Sequence, residues 1–259
     1  MARRLGQHFL TDPRILDRIV ALIEPDAADL VVEIGPGRGS LTRRLAHRVR
    51  TVVAVERDKE LAERLSEQRI ENVRVVYGDA LKEDWQALAG PESARFKVIG
   101  NVPYYISTPL IHQALSYALV SCIVFLIQRE VADRICAAPG NKDYGGLSVG
   151  VQAFSRPERA FRVAAGAFSP PPTVESTAVR LVRRADPLVP FDRREDFRRF
   201  VTATFSQRRK RIVRVLRNTT TLDASAALGV IGELGIDPDT RPEMLAPESL
   251  ADLFVTIFR

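Results

Sequence analysis

Residues 101–104 read Asn-Val-Pro-Tyr and follow the apolar run Phe96-Lys97-Val98-Ile99-Gly100. These residue types have the chemistry to hold a planar nucleobase and present its exocyclic amine. The side-chain oxygen of Asn101 and the Val102 carbonyl offer two acceptors for the two N–H bonds of an adenine-type amino group. Tyr104 offers a ring for the base to stack on, worth about 1–3 kcal/mol per base. Pro103 fixes φ and favours a sharp turn out of a strand end. Taken alone, the tetrapeptide fits a plain turn equally well, and its weight rests on what stands upstream.

Upstream stands Glu33-Ile34-Gly35-Pro36-Gly37-Arg38-Gly39, between the apolar run Leu30-Val31-Val32 and a helical stretch from Ser40 to Arg48. Strand, glycine loop and helix in that order let a backbone approach a nucleotide-like ligand closely, at Gly35 and Gly37 here. The spacing is G-x-G-x-G, so the third glycine of the dinucleotide fingerprint is missing from its place. No G-x-x-x-x-G-K-[ST] occurs either, which excludes a P-loop. A short glycine loop opened by an acid suits a ligand without a pyrophosphate. S-adenosylmethionine leads the candidates, with the Glu33 carboxylate near its cationic methionine end, directly or through water.

The following acids agree with that reading. Thr51-Val52-Val53-Ala54-Val55 predicts a second buried strand ended by Glu56, which lies 21 positions after Gly35. In doubly wound folds an acid about 20 residues on accepts hydrogen bonds from ribose hydroxyls. A third strand, Val73-Arg74-Val75-Val76-Tyr77, ends in Gly78-Asp79-Ala80, where a carboxylate reaches an adenine amino group. Carboxyl ends of parallel strands line the ligand crevice. Gly35, Glu56, Asp79 and Asn101 are therefore expected to converge. Any one of them alone is commonly a helix cap; four in register are harder to dismiss.

The elements that must position these residues follow from pattern. Ser107 to Tyr117 predicts a helix with Pro109 in its first turn. Ser121-Cys122-Ile123-Val124-Phe125-Leu126-Ile127 predicts a strand buried on both faces. Arg129 to Ala137 and Leu147 to Phe154 read as helices, separated by a glycine-rich loop, Pro139 to Gly146, expected to be mobile and near substrate. Arg159 to Val163 and Ala178 to Val182 read as late antiparallel strands. Between them Ala167-Phe168-Ser169-Pro170-Pro171-Pro172 cannot pair as a central strand. That run is expected to hold Phe168 in a stiff loop, either as the second face of an aromatic sandwich around a base or as a core residue. Alternating strands and helices argue for a doubly wound α/β domain over residues 1–185, followed by a smaller helical domain over 186–259. Asp186-Pro187 and Pro190 mark the boundary.

Composition narrows the partners. At 259 residues, 46% hydrophobic and 27% charged, the chain fits a soluble globular protein of one large domain or a large and a small one. No run approaches the roughly 20 apolar residues of a membrane span, and residues 1–8 lack the apolar core of a secretory leader. Cys122 and Cys136 are expected to be reduced thiols, and three scattered histidines give a metal centre little support. The net charge of +6 favours a polyanionic partner. Ten of the 38 basic residues fall between Arg193 and Arg217, against only two of the 32 acids, Glu195 and Asp196. Arg208, Arg209, Lys210, Arg211 and Arg214 form the densest part and are the candidate RNA contacts. Lys210, Arg214 and Arg217 stand at i, i+4 and i+7, the spacing of a helical stripe. A solvated helix face is the plainer account of the same residues.

Taken together these motifs resemble the ribosomal RNA adenine dimethylases of the KsgA/RsmA type, over essentially the whole length. The resemblance is carried by Gly6-Gln7-His8-Phe9-Leu10, the Glu33–Gly39 loop, Val55-Glu56-Arg57-Asp58, Gly78-Asp79-Ala80, Asn101-Val102-Pro103-Tyr104, Gln128-Arg129-Glu130-Val131-Ala132, Phe168-Ser169-Pro170-Pro171-Pro172 and Phe205-Ser206-Gln207-Arg208-Arg209-Lys210. It implies a class I, Rossmann-like S-adenosylmethionine-dependent methyltransferase domain. It implies dimethylation of N6 on two adjacent adenines near the 3′ end of 16S rRNA in the small subunit, within ribosome biogenesis, by a cytoplasmic monomer. Donor contacts carry over to His8, Leu10, Gly35, Glu56, Asp79 and Asn101, with His8-Phe9-Leu10 folding back over the donor. Val102 stands where the family usually has Leu or Ile, and Tyr105 where it often has Asn, so no side-chain role transfers to Tyr105. Dimethylation of a large-subunit rRNA adenine, methylation of DNA adenine, and a non-catalytic RNA-binding role on the same scaffold stay open as alternatives.

Overall fold

Residues 30–34 are buried without exception, Glu33 included, which suits a strand covered on both faces. The computed structural model describes residues 8–90 and 95–259. Gly6 and Gln7 of the first motif lie outside the described residues. Within them the chain divides into two compact units, residues up to Ala132 with Glu158–Arg183, and Asp133–Pro157 with Arg184–Arg259. No helix of the described residues is long and apolar enough to cross a membrane.

The first unit carries a short strand β1 (Phe9–Leu10), then α1 (Pro13–Leu22), β2 (Leu30–Ile34), α2 (Ser40–Ala46), β3 (Thr51–Glu56), α3 (Lys59–Glu67), β4 (Val73–Tyr77), α4 (Trp85–Ala89), β5 (Phe96–Asn101), α5 (Ser107–Ser116), β6 (Val120–Gln128) and the start of α6 (Arg129–Ile135). Asp12 and Asp58 start α1 and α3 by accepting backbone N–H bonds of the first turn, and Pro13 sits where its missing N–H costs nothing. β7 (Ser155–Val163), β8 (Phe168–Ser169) and β9 (Ser176–Arg183) come later in the chain. The main sheet has seven strands in the order β4-β3-β2-β5-β6-β9-β7. β2 pairs in parallel with β3 on one side and β5 on the other, and β9 returns antiparallel to β6. Winding therefore reverses between β2 and β5, and doubly wound sheets open their crevice at such a point. Ile19, Val20, Leu45, Val31, Val52 and Val124 are among the apolar residues that pack α1 and α2 onto one face of the sheet.

Phe168 and Ser169 are not a loop. They form β8, which pairs antiparallel with β1 in the register Phe9↔Ser169 and Leu10↔Phe168. The proline run starts only at Pro170, so the backbone N–H groups needed for this ribbon survive ahead of it.

The second unit contains α7 (Gly146–Gln152), α8 (Arg194–Phe205), α9 (Ile212–Thr219), α10 (Ala224–Glu233) and α11 (Pro247–Ile257). Its boundary near Arg184 adjoins the expected cut at 185/186, but it also takes in residues 133–157. The cause is aromatic packing. Phe154 meets Phe197 edge-on at 6.4 Å between ring centroids, and Phe197 meets Phe254 at 5.4 Å. The loop of residues 139–146 is correspondingly anchored. Tyr144 is fully buried, packs on Phe205 at 5.8 Å, and donates its hydroxyl to the Leu245 carbonyl at 2.8 Å. Glycines at its ends do not free a residue that carries a large apolar ring.

Candidate functional site

The carboxyl ends of β2, β3, β4 and β5 open onto one cleft. Gly35, Glu56, Asp79 and Asn101 all border it. So do the other residues singled out for donor or base contact, from the His8 and Leu10 end of the chain to Phe168. For Gly35, Glu56, Asp79 and Asn101 the convergence follows from topology, since each lies at, or within two residues after, the carboxyl end of a strand in the parallel part of the sheet.

The floor is the glycine loop. Gly35 and Gly37 have φ of +67° and +55°, a region L side chains rarely adopt. A Cβ on Gly37 would also sit 3.0 Å from the Phe9 ring. The Gly37 N–H donates to Oε2 of Glu56 at 2.9 Å, and the Asp58 N–H donates to Oε1 at 2.9 Å. Each oxygen keeps a second lone pair for a ligand hydroxyl. Burial pushes the Glu56 carboxyl above the usual range, opposed by those backbone N–H groups. Asp79 accepts from the Leu81 N–H at 3.1 Å and stands 3.9 Å from Arg57. The Ala80 carbonyl accepts from Trp85 Nε1 and from Gln113 Nε2, both at 2.8 Å, which pins the turn after β4.

Glu33 is 1% exposed, and neither of its carboxylate oxygens has a hydrogen-bond partner within the described residues. Burial raises its pKa to about 7. Thr42 pulls the other way from a position short of full hydrogen-bond geometry, and the Glu56 charge adds to the rise. A buried, unpartnered acid bordering a cleft calls for a ligand that brings positive charge or N–H donors. The cationic methionine end of S-adenosylmethionine meets that demand, and the left-handed glycines leave room beside it. The sign of the pH dependence follows. Between the unfolded pKa near 4.5 and about 7 the folded chain holds a proton that the unfolded chain has lost, so stability without ligand falls as pH rises through that window. Donor affinity should rise over the same window, because the charged carboxylate is the form that attracts a cation. Calorimetric titration with S-adenosylmethionine at pH 6, 7 and 8 checks this. Glu33→Gln should bind weakly and flatten the trend, and an equally steep trend in that variant would assign the titration to another group.

Asn101 ends β5, and its Nδ2 donates to the His8 carbonyl at 2.9 Å. With the amide nitrogen engaged, Oδ1 is the end left to accept. Val102 is buried, and Pro103 turns the chain at φ −58°, ψ 136° into a 3-10 turn, Tyr104–Ile106. The Tyr104 hydroxyl bonds to the Ser176 hydroxyl at 2.7 Å, and its ring lies near-parallel to His8 with centroids 6.3 Å apart. His8 Nδ1 lies 2.9 Å from the Pro170 carbonyl, which can only accept, so Nδ1 carries the hydrogen. The β1–β8 ribbon thus brings His8, Leu10 and Phe168 to the cleft. Phe168 is 5% exposed and also belongs to the apolar core, so both roles considered for it are compatible with its place. Sequence reasoning missed Trp85, five residues past Ala80, and Gln113 and Ser176, which support the site from farther along the chain. No local pattern marks them.

In the second unit the basic cluster is partly committed. Arg208 Nε bonds to Glu243 Oε2 at 2.7 Å, and its guanidinium donates to the Lys142 carbonyl at 3.3 Å. Its guanidinium is thus partly engaged by internal partners, at 37% side-chain exposure. Arg211 pairs with Asp239 at 3.0 Å, but both are well exposed and such pairs hold weakly. Arg209, Lys210, Arg214 and Arg217 are exposed. α9 begins at Ile212, so Lys210 lies outside it, and the helical stripe reduces to Arg214 and Arg217.

The family profile described as ribosomal RNA adenine dimethylase matches residues 1–257. The chain is 43% identical over 249 residues to the ribosomal RNA small subunit methyltransferase A of Nitrosococcus oceani, covering 95% of this chain and 92% of that one. It is 40% identical over 262 residues to the protein of the same description from Moorella thermoacetica, covering 97% and 91%. Among solved structures, a dimethyladenosine transferase from Plasmodium falciparum superposes with a TM-score of 0.84 at 26% identity, covering 96% of this chain and 97% of that one. The 23S rRNA methyltransferase ErmE gives 0.75 at 27% identity, covering 97% and 100%.

Proposed function

This chain belongs to the ribosomal RNA adenine dimethylase family and is an S-adenosylmethionine-dependent methyltransferase; from that premise we propose that it dimethylates N6 of two adjacent adenines near the 3′ end of 16S rRNA. It does so in the cytoplasm as a monomer, on the small subunit or its precursor, as a step of ribosome biogenesis. The observation that carries the reading is the joint placement of Asn101, Val102 and Tyr104 at the same cleft as the glycine loop and Glu56. The small-subunit choice is supported by relatives described as small subunit methyltransferases at 40–43% identity.

The target adenine must leave the RNA stack to enter the cleft. Its N6 lone pair is delocalised into the ring and is a poor nucleophile. The Asn101 side-chain oxygen and the Val102 carbonyl take the two N–H bonds, favour a pyramidal nitrogen and so localise the lone pair. The bond from Asn101 Nδ2 to His8 holds the amide in the orientation this requires. Tyr104 supplies a stacking face, its ring fixed through Ser176. When bound, S-adenosylmethionine supplies an electrophilic methyl group on a sulfonium. Glu33, Glu56 and Asp79 would hold its methionine end, ribose and adenine amino group, with Gly35, Gly37, Ala80, His8 and Leu10 shaping the walls. No general base is required first, because the alkylated nitrogen is acidic and releases its proton afterwards. Catalysis rests on positioning and fixed dipoles.

Incubation with labelled S-adenosylmethionine and undermethylated small subunits, followed by mapping, tests the reading. Label on two adjacent adenines near the 3′ end supports it. Unlabelled small subunits, with label on large-subunit RNA or on DNA supplied in parallel incubations, would replace it with one of the other substrates.

Arg209, Lys210 and Arg214 are the proposed phosphate contacts. Changing all three to Ala should reduce the slope of log affinity against log salt by about 2. Arg208→Ala should instead lower thermal stability, since it leaves Glu243 without its partner. An unchanged slope in the triple variant would place the phosphate contacts elsewhere.

A further inference from the structure

Tyr105 is 62% exposed and borders the same cleft as Asn101 and Tyr104. Its backbone is not loose. It is the middle residue of the 3-10 turn, whose Ile106 N–H donates to the Pro103 carbonyl at 3.1 Å. The Ser107 hydroxyl lies 3.1 Å from the Tyr104 carbonyl and 3.3 Å from that of Pro103. A tyrosine usually buries most of its ring or gives its hydroxyl a partner. Here the backbone is held firmly while the ring stands in solvent at the rim. That is the arrangement of a stacking platform, with little rotamer freedom to lose and a flat apolar face already at the mouth.

We propose that Tyr105 is a positioning residue that stacks the nucleotide next to the target adenine. The inference rests on the function proposed above and adds to it the handling of the flanking base. A base extruded into the cleft leaves its neighbour with one face uncovered. A ring one residue beyond Tyr104, on the rim, lies within a nucleotide's reach of the target and covers that face. Holding the flanking base on the rim also keeps the strand from restacking between two methylation events on adjacent adenines.

The test uses the full chain and undermethylated small subunits whose 16S rRNA carries 2-aminopurine beside the two adjacent adenines. Wild type should quench the probe on binding and methylate the target. Tyr105→Ala should lose most of the quenching and raise the RNA KM about tenfold, the contribution of one base–aromatic stack, with kcat within about threefold of wild type. Tyr105→Trp should restore both quenching and KM, which a merely structural role would not. Unchanged KM and quenching in Tyr105→Ala, or a collapse of kcat at constant KM, overturns the proposal. If wild type quenches the probe through Tyr105 but methylates no adenine, the substrate reading fails while the stacking role stands.

Discussion

Asn101→Ala should lower turnover by about 100-fold or more, the usual cost of removing an oriented polar group at a centre where charge develops. The reason is local. Val102 offers a backbone carbonyl that survives any substitution, so Asn101 is the one side chain of the pair that mutation removes. Its Nδ2 bond to the His8 carbonyl makes it a link as well as an acceptor, because it joins the end of β5 to the segment leading into β1. Single-turnover methylation and donor affinity should therefore be measured together. A drop confined to turnover assigns Asn101 to the amine. A parallel loss of donor binding shows the His8 link to matter as much. Turnover within tenfold of wild type would remove Asn101 from the reaction.

Gly100→Ala should damage fold and activity together. A Cβ at Gly100 would stand 2.5 Å from the Ile34 backbone carbonyl and 3.1 Å from Val102 Cγ1. Backbone is the obstacle, so no side-chain rotation relieves it, and β5 must draw away from β2 where the cleft opens. Overpacking of this kind costs about 1–3 kcal/mol, which for a chain of this size is a Tm lower by roughly 2–10 °C. Turnover should fall further than stability, since the displaced residue immediately precedes Asn101. Gly150→Ala in α7 is the control: apart from its chain neighbours and its own helix backbone, no described atom lies within 4 Å of its added methyl, and alanine favours a helix, so Tm should hold or rise slightly. Equal Tm in the two variants would mean that the β2–β5 approach is not as constrained as its geometry indicates.

The central strands were legible because burial on both faces leaves an unmistakable sequence trace. Leu30–Ile34, Thr51–Glu56 and Val120–Gln128 are near-continuous apolar runs, and a run of that length has few other uses in a water-soluble domain. The meeting of four residues at one cleft was legible for a related reason. Gly35, Glu56, Asp79 and Asn101 sit at strand ends, and a strand end is visible as the point where an apolar run stops. Phe168 was harder. Its short pairing with β1 joins residues more than 150 positions apart, and two-residue strands carry no period. The internal partners of Arg208 were hidden for the same reason: it meets Glu243 and Lys142 from distant parts of the chain, and composition counts an engaged cation like a free one.

Sequence by itself determined the kind of chemistry. Residue types set donors, acceptors and rings, and the ends of apolar runs set which of them share a sheet edge. Only the tertiary structure decided which groups are already spent. It tied Asn101 to His8, Tyr104 to Ser176 and Arg208 to Glu243, left the Glu33 carboxylate without a hydrogen-bond partner among the described residues, and put Tyr105 in solvent at the rim. Hydrogen bonding and desolvation depend on neighbours in space, and a linear order of residues does not contain them.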